Sequence, residues 1–140
     1  MPGRDGVLIR QKTVLSLLKR AGKPLPPMVF VKLIFLLRRE TGLKKEPSFY
    51  DFVPYNYGPF SFMLYWDLGS LRQNGYVTPE KDRVALCEHT LELTEKEAAQ
   101  LSKSIQDAVA EVLSRYGGWI RAPWFVASIL ATPGSRSTAS

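Results

Sequence analysis

Nine of the chain's sixteen aromatic residues fall in the eighteen positions from 49 to 66. Rings at that density must be buried against a core or against a partner, because large aromatic side chains gain most from leaving water. The stretch turns on Tyr57-Gly58-Pro59-Phe60-Ser61 and then takes a helical period, with Phe60, Leu64, Leu68 and Leu71 at spacings of four, four and three. Such spacing lines one face of a helix, Pro59 suits the first turn, and Asn74-Gly75 ends it. A helix over 59–74 is therefore expected. Phe62, Met63, Tyr65 and Trp66 cannot all share its buried stripe, so several of them must meet the second helix, the preceding connector or a partner chain.

Residues 7–21 read as an amphipathic helix stopped by Gly22, and Pro24, Pro26 and Pro27 form a stiff connector. Residues 28–37 are apolar except for Lys32, which predicts a largely buried central helix with Arg38 and Arg39 at the negative end of its dipole and Gly42 as a left-handed terminator. Residues 44–54, with Pro47 and Pro54, read as an irregular or partly extended connector. After the third helix, residues 76–78 and 84–93 form a hairpin across a charged tip, with Leu91 and Leu93 alternating about Glu92 as a half-buried strand would. Thr94-Glu95-Lys96-Glu97 has the form of a capping box, opening a helix that runs to about Tyr116 and closes at Gly117-Gly118. The apolar, aromatic stretch 119–130 is expected to pack on the core or to mark a partner surface. The small, polar end 131–140 is expected to be disordered. A single domain over 1–130 follows, mainly α with a small β-hairpin.

Charge narrows the function classes. Net charge is +6, and residues 1–60 carry eleven Lys or Arg against four acids, while 61–140 carry eight against nine. A localised basic surface attracts phosphate backbones. The longest apolar run is about half of what a membrane span needs, and the opening residues do not resemble a secretory signal, so a cytoplasmic protein without membrane association is expected. One cysteine and one histidine exclude an internal disulfide and a multi-histidine zinc site. Cys87 and His89, two apart, would share a strand face, yet no orienting group accompanies them, and a packed thiol is the simpler reading. Asp51, among tyrosines, reads as a turn or hydrogen-bonding residue rather than a general base. Neither a phosphate-binding loop nor any cofactor motif is present, and no enzyme activity is expected.

Three helices, a hairpin and a long C-terminal helix follow the order of a winged helix, in which the third helix enters the major groove and the hairpin reaches the adjacent backbone. On that plan duplex DNA takes phosphate contacts from Arg38, Arg39, Lys44, Lys45, Lys81 and Arg83, and base-edge contacts from Ser61, Arg72 and Gln73, in a homodimeric regulator. The first two turns of the third helix are aromatic, however, whereas base-reading helices present polar side chains there. The alternative is a protein-interaction module in which Phe62, Tyr65, Trp66, Trp119 and Trp124 contact a partner or a second copy.

Val31-Lys32-Leu33-Ile34-Phe35-Leu36-Leu37, the approach Phe49-Tyr50-Asp51-Phe52, the Tyr57-Gly58-Pro59 turn and the 68–76 helix end together resemble the Panacea antitoxin-type domain and related bacterial winged-helix-like proteins, over about residues 25–95. That resemblance implies a small cytoplasmic bacterial protein that neutralises a toxin, acts in phage defence or regulates transcription, by binding rather than catalysis.

Overall fold

The computed structural model describes residues 7–55, 58–80 and 82–121. They form a mainly helical protein, with helices α1 (Ile9–Ala21), α2 (Pro27–Glu40), α3 (Phe62–Gln73), α4 (Leu91–Ala99) and α5 (Lys103–Arg121). Two antiparallel pairs accompany them, strands β1 (Val53–Tyr55) with β2 (Gly58–Phe60) and β3 (Val77–Glu80) with β4 (Arg83–Leu86). Expectations for Lys81, Tyr57, Trp124, the side chain of Trp119 and the 131–140 tail lie outside the described residues.

Local chemistry sets the helix ends. In α1 the first-turn backbone N–H of Leu8 donates to the Gln11 side chain at 3.0 Å, and Gly22 closes the helix at φ 75°, a conformation that costs glycine nothing. Pro27 opens α2. The Thr41 hydroxyl closes it by donating to the Leu37 carbonyl at 2.6 Å and accepting from the Leu43 N–H at 3.2 Å. Gly42 is thus not the left-handed terminator expected, and it starts a 3-10 turn, Gly42–Lys45, instead. α3 ends where Gly75 takes φ 85° and the Tyr76 N–H returns to the Leu71 carbonyl at 2.9 Å.

α1 packs against α4 and α5, and α2 packs against α5 and β2. Their interior faces, with Leu15, Leu17, Phe30, Leu33, Ile34, Leu37, Val109 and Val112 almost wholly buried, join Leu64 and Leu71 of α3 in one core. The α1–α2 connector is tied to the second hairpin by reciprocal backbone bonds, Leu25 N–H to the Val84 carbonyl at 2.9 Å and Val84 N–H to the Leu25 carbonyl at 2.7 Å.

Several expectations are corrected. Pro59 lies in β2, opposite Pro54, rather than in the first turn of a helix. α3 starts at Phe62, and Ser61 is its N-cap, the hydroxyl accepting from the Leu64 N–H at 3.2 Å. The connector before it contains the 3-10 turn and β1, so Gly58-Pro59 belongs to a first β-pair that the prolines disguised. β4 ends at Leu86, not at residue 93. The Thr90 hydroxyl donates to the Gly75 carbonyl at 2.7 Å, and that closure turns the chain into α4, where Leu91 and Leu93 are exposed. Cys87 and His89 consequently share no strand, since His89 lies in a 3-10 turn, Glu88–Thr90. Thr94 is an interior residue of α4 rather than a cap. The single helix expected from 94 to 116 is broken at residues 100–102, where the Ser102 hydroxyl accepts from the Ile105 N–H at 3.3 Å as α5 begins. Gly117 and Gly118 do not end α5, which continues to Arg121.

Candidate functional site

The two sides of α3 have opposite character. Inward, Leu64 and Leu71 enter the core, and between them Asp67 is 1% exposed. Its carboxylate accepts from Arg10 Nε at 2.6 Å, from Arg10 Nη2 at 3.3 Å and from the Tyr50 hydroxyl at 2.7 Å. A buried carboxylate is tolerated when it is paired and hydrogen-bonded in this way. Burial, and then the hydrogen bond to Asp67, pushes the Tyr50 hydroxyl far above its ordinary pKa. The hydrogen bond to Asp67 likewise raises Arg10. Tyr50 and Arg10 therefore keep their protons across the working pH range, which suits a structural pin holding α3 to α1 and to the segment before β1 better than proton transfer. Sequence reasoning missed Asp67; its one signal was a carboxylate within the apolar stripe, three residues after Leu64.

Outward, Phe62 is 77% and Trp66 79% exposed, with Met63, Tyr65 and Val53 also open to solvent. Phe60 links several of these side chains. Phe60 meets the Phe62 ring edge to face at 4.7 Å between centroids and stacks on Tyr65 at 5.0 Å, and Val53 stands opposite Phe60 in the strand pair. Phe62, Trp66, Gly69 and Gln73 repeat at four, three and four, which places them on one helix face. Gly69 and Gln73 are exposed as well. Among the described residues, a Cβ added at Gly69 would meet nothing within 4 Å beyond its own stretch of helix.

The basic residues divide between two places. Arg72 and Gln73, exposed on the last turn of α3, and Arg83, exposed at the start of β4, belong to the end of the molecule where the hairpin meets Leu25, just before α2. Lys44 and Lys45 are exposed after the opposite end of α2, a helix of fourteen residues and so about 20 Å long. Arg38 is occupied there: it donates to the Leu43 and Glu46 carbonyls at 3.0 and 2.8 Å and to Asp51 at 2.9 Å. Asp51 thus accepts a hydrogen bond, as expected, but from an arginine and not a tyrosine. Arg39 is exposed, its guanidinium 5.9 Å over the Phe35 ring, and Phe35 in turn meets Phe52 edge to face at 5.4 Å. Ser61 is 2% exposed, its hydroxyl committed to the helix cap.

Among the described residues no group of three or more His, Cys, Asp or Glu is placed to hold a metal ion, and no helix is long and apolar enough to cross a membrane. In comparisons with protein-family models, curated proteins and solved structures, nothing matches this chain.

Proposed function

We propose that this protein is a non-catalytic protein-binding module of winged-helix topology, which docks a partner on the outer face of α3 and the adjoining β1–β2 pair. The observation that carries the reading is the exposure of Phe62 and Trp66 at 77% and 79% on a helix whose opposite side is pinned by buried Asp67. Contiguous apolar surface rimmed by polar groups marks interaction sites, and aromatic residues with Met are enriched at the centres of protein interfaces. The ring pairs also favour a protein. One face of Tyr65 is covered by Phe60 and the Phe62 ring is engaged with Phe60, so these rings offer a continuous apolar surface rather than free planes for stacked bases. The likeness of the Tyr-Gly-Pro stretch to antitoxin-type domains supports the same reading. A photo-crosslinking residue at position 62, compared with one at Lys103 on α5, tests it in the native cell. A discrete protein adduct from position 62 alone is expected. Adducts to nucleic acid, or equal adducts from both positions, would count against it.

A second reading is favoured by one observation, the Leu25–Val84 bridge, which joins the α1–α2 connector to the hairpin as in winged-helix DNA-binding proteins. There Arg72, Gln73 and Arg83 would face duplex DNA and the chain would act as a dimeric regulator. Duplex affinity measured against salt decides it: loss of affinity with a slope of several counterions supports a phosphate footprint, and a slope near zero removes it.

A further inference from the structure

We infer that the partner presents an acidic amphipathic α-helix, which lies along α3 and makes its closest approach at Gly69. The inference rests on the protein-docking reading above and adds the shape and charge of what docks.

Gly69 supplies the shape. Apart from proline, glycine is the poorest helix former, so at Gly69 the helix forgoes stability that alanine would give it. Among the described residues nothing packs against it. Gly69 has an ordinary helical backbone, is exposed, and a Cβ there would project into open space. It lies on the same stripe as Phe62 and Trp66 and leaves a gap one turn beyond the two most exposed rings. Without a side chain at the crossing point, a second helix can approach the α3 backbone while its apolar side chains lodge against Trp66 and Phe62. Helix docking of this kind is read through anchors at i, i+3, i+4 and i+7, and the stripe on α3 has the complementary spacing.

Charge supplies the sign. The only carboxylate on α3 is Asp67, which is buried and paired with Arg10, so the exposed face carries no acid. Arg72 stands at one end of the stripe. Asp51, exposed just before β1, is paired with Arg38 at 2.9 Å. A face with Arg72 at its end and no exposed carboxylate of its own, on a chain of net charge +6, attracts an acidic partner and repels a second copy of itself, whose matching stripe would bring Arg72 and no counter-charge.

The test is a selection of amphipathic helical peptides from a randomised display library against the full chain, with affinities then measured on wild type, Trp66→Ala, Gly69→Gln and Arg72→Glu. The expected winners carry Leu, Phe or Trp at i, i+3 or i+4, and i+7, flanked by Asp or Glu. They should bind Trp66→Ala and Gly69→Gln at least tenfold more weakly, and Arg72→Glu several-fold more weakly. Circular dichroism of each variant, unchanged from wild type, assigns these losses to the surface rather than to unfolding. Winners that need Trp66 but are neutral or basic, or that tolerate Gly69→Gln, overturn the inference and leave the docking face standing. Winners indifferent to Trp66 overturn both. Sedimentation showing a dimer that Trp66→Ala dissolves makes the occupant a second copy, and oligothymidylate binding that requires Trp66 makes it single-stranded nucleic acid; either overturns the acidic helix.

Discussion

Arg10 and Asp67 stand 57 positions apart and meet through the Arg10 Nε–Asp67 Oδ2 hydrogen bond of 2.6 Å. The contact fixes the rotation of α3 about its own axis. With Asp67 turned inward, the next-door Trp66 and the Phe62 one turn earlier must face solvent, so the buried ion pair and the exposed aromatic surface are two consequences of one placement. Removing one partner of a buried pair strands the other, which generally costs about 3–5 kcal/mol. The Arg10 side chain is 21% exposed, so Asp67→Ala is expected at the low end, about 3 kcal/mol. Replacing all three members together, as Arg10→Met, Tyr50→Phe and Asp67→Leu, should cost less than Asp67→Ala alone, because no charge is then left uncompensated. Urea unfolding of the two variants decides it, and a triple variant less stable than Asp67→Ala would show that the pair contributes net stability.

Thr94 carries the opposite lesson. Its side chain is fully buried between α4 and its neighbours, and its hydroxyl has no hydrogen-bond partner among the described residues. A buried hydroxyl without a partner costs about 1–3 kcal/mol in lost hydration, and an apolar group of the same shape removes that cost. Thr94→Val is therefore expected to stabilise the protein by about 1 kcal/mol, read as a rise in the midpoint of thermal or urea unfolding. A fall in the midpoint would mean that the hydroxyl is satisfied in solution.

The fold was legible where a residue has one physical use. Gly22 and Pro27 mark helix ends because a left-handed turn and an absent N–H leave few alternatives, and the apolar run of α2 admits only burial. Legibility failed where one residue type serves several ends. Thr94 with Glu97 has the spacing of a capping box, yet burial against α1 placed it inside a helix. Leu91 and Leu93 alternate like a strand but lie on the exposed side of α4, since the turn closed by Thr90 and Gly75 depends on a contact fifteen residues away. Gly58-Pro59 looked like a helix start, whereas Ser61, the true cap, looked like a base-contacting side chain. At the site itself the surplus of rings after Pro59 was visible as a surplus. Asp67 and Gly69 were not, because a buried partner and an empty space are properties of three dimensions.

Acid stability should depend on Glu40. The Tyr116 hydroxyl donates to its carboxylate at 2.6 Å and Arg115 at 2.8 Å, and the Tyr116 bond, followed by Arg115, holds Glu40 below the ordinary carboxyl range. A carboxyl depressed on folding binds protons more weakly in the folded than in the unfolded chain. Its contribution is thus complete above the ordinary glutamate pKa and is lost as pH falls through the depressed folded value. Glu40→Gln should flatten the decline of stability below about pH 4.5 and change its slope little near neutrality. Unfolding midpoints measured between neutral and acidic pH for the two proteins provide the check, and parallel curves would exclude a role for Glu40.

Gly69 offers the sharpest separation of stability from function. In a helix interior, replacing glycine by alanine removes an entropic cost of roughly 0.5–1 kcal/mol. Among the described residues, no atom beyond the glycine's own stretch of helix lies within 4 Å of the position a Cβ would take, so no clash offsets that gain. Gly69→Ala should raise the urea midpoint correspondingly, with an unchanged slope. A longer side chain such as glutamine should be tolerated by the free protein too, since it projects into solvent, but it would stand in the path of a helix crossing α3 beside Trp66. The expected pattern is equal or greater stability with weaker partner affinity. If Gly69→Ala instead destabilises the isolated chain, the glycine serves the fold itself, and the gap on α3 then needs no partner to explain it.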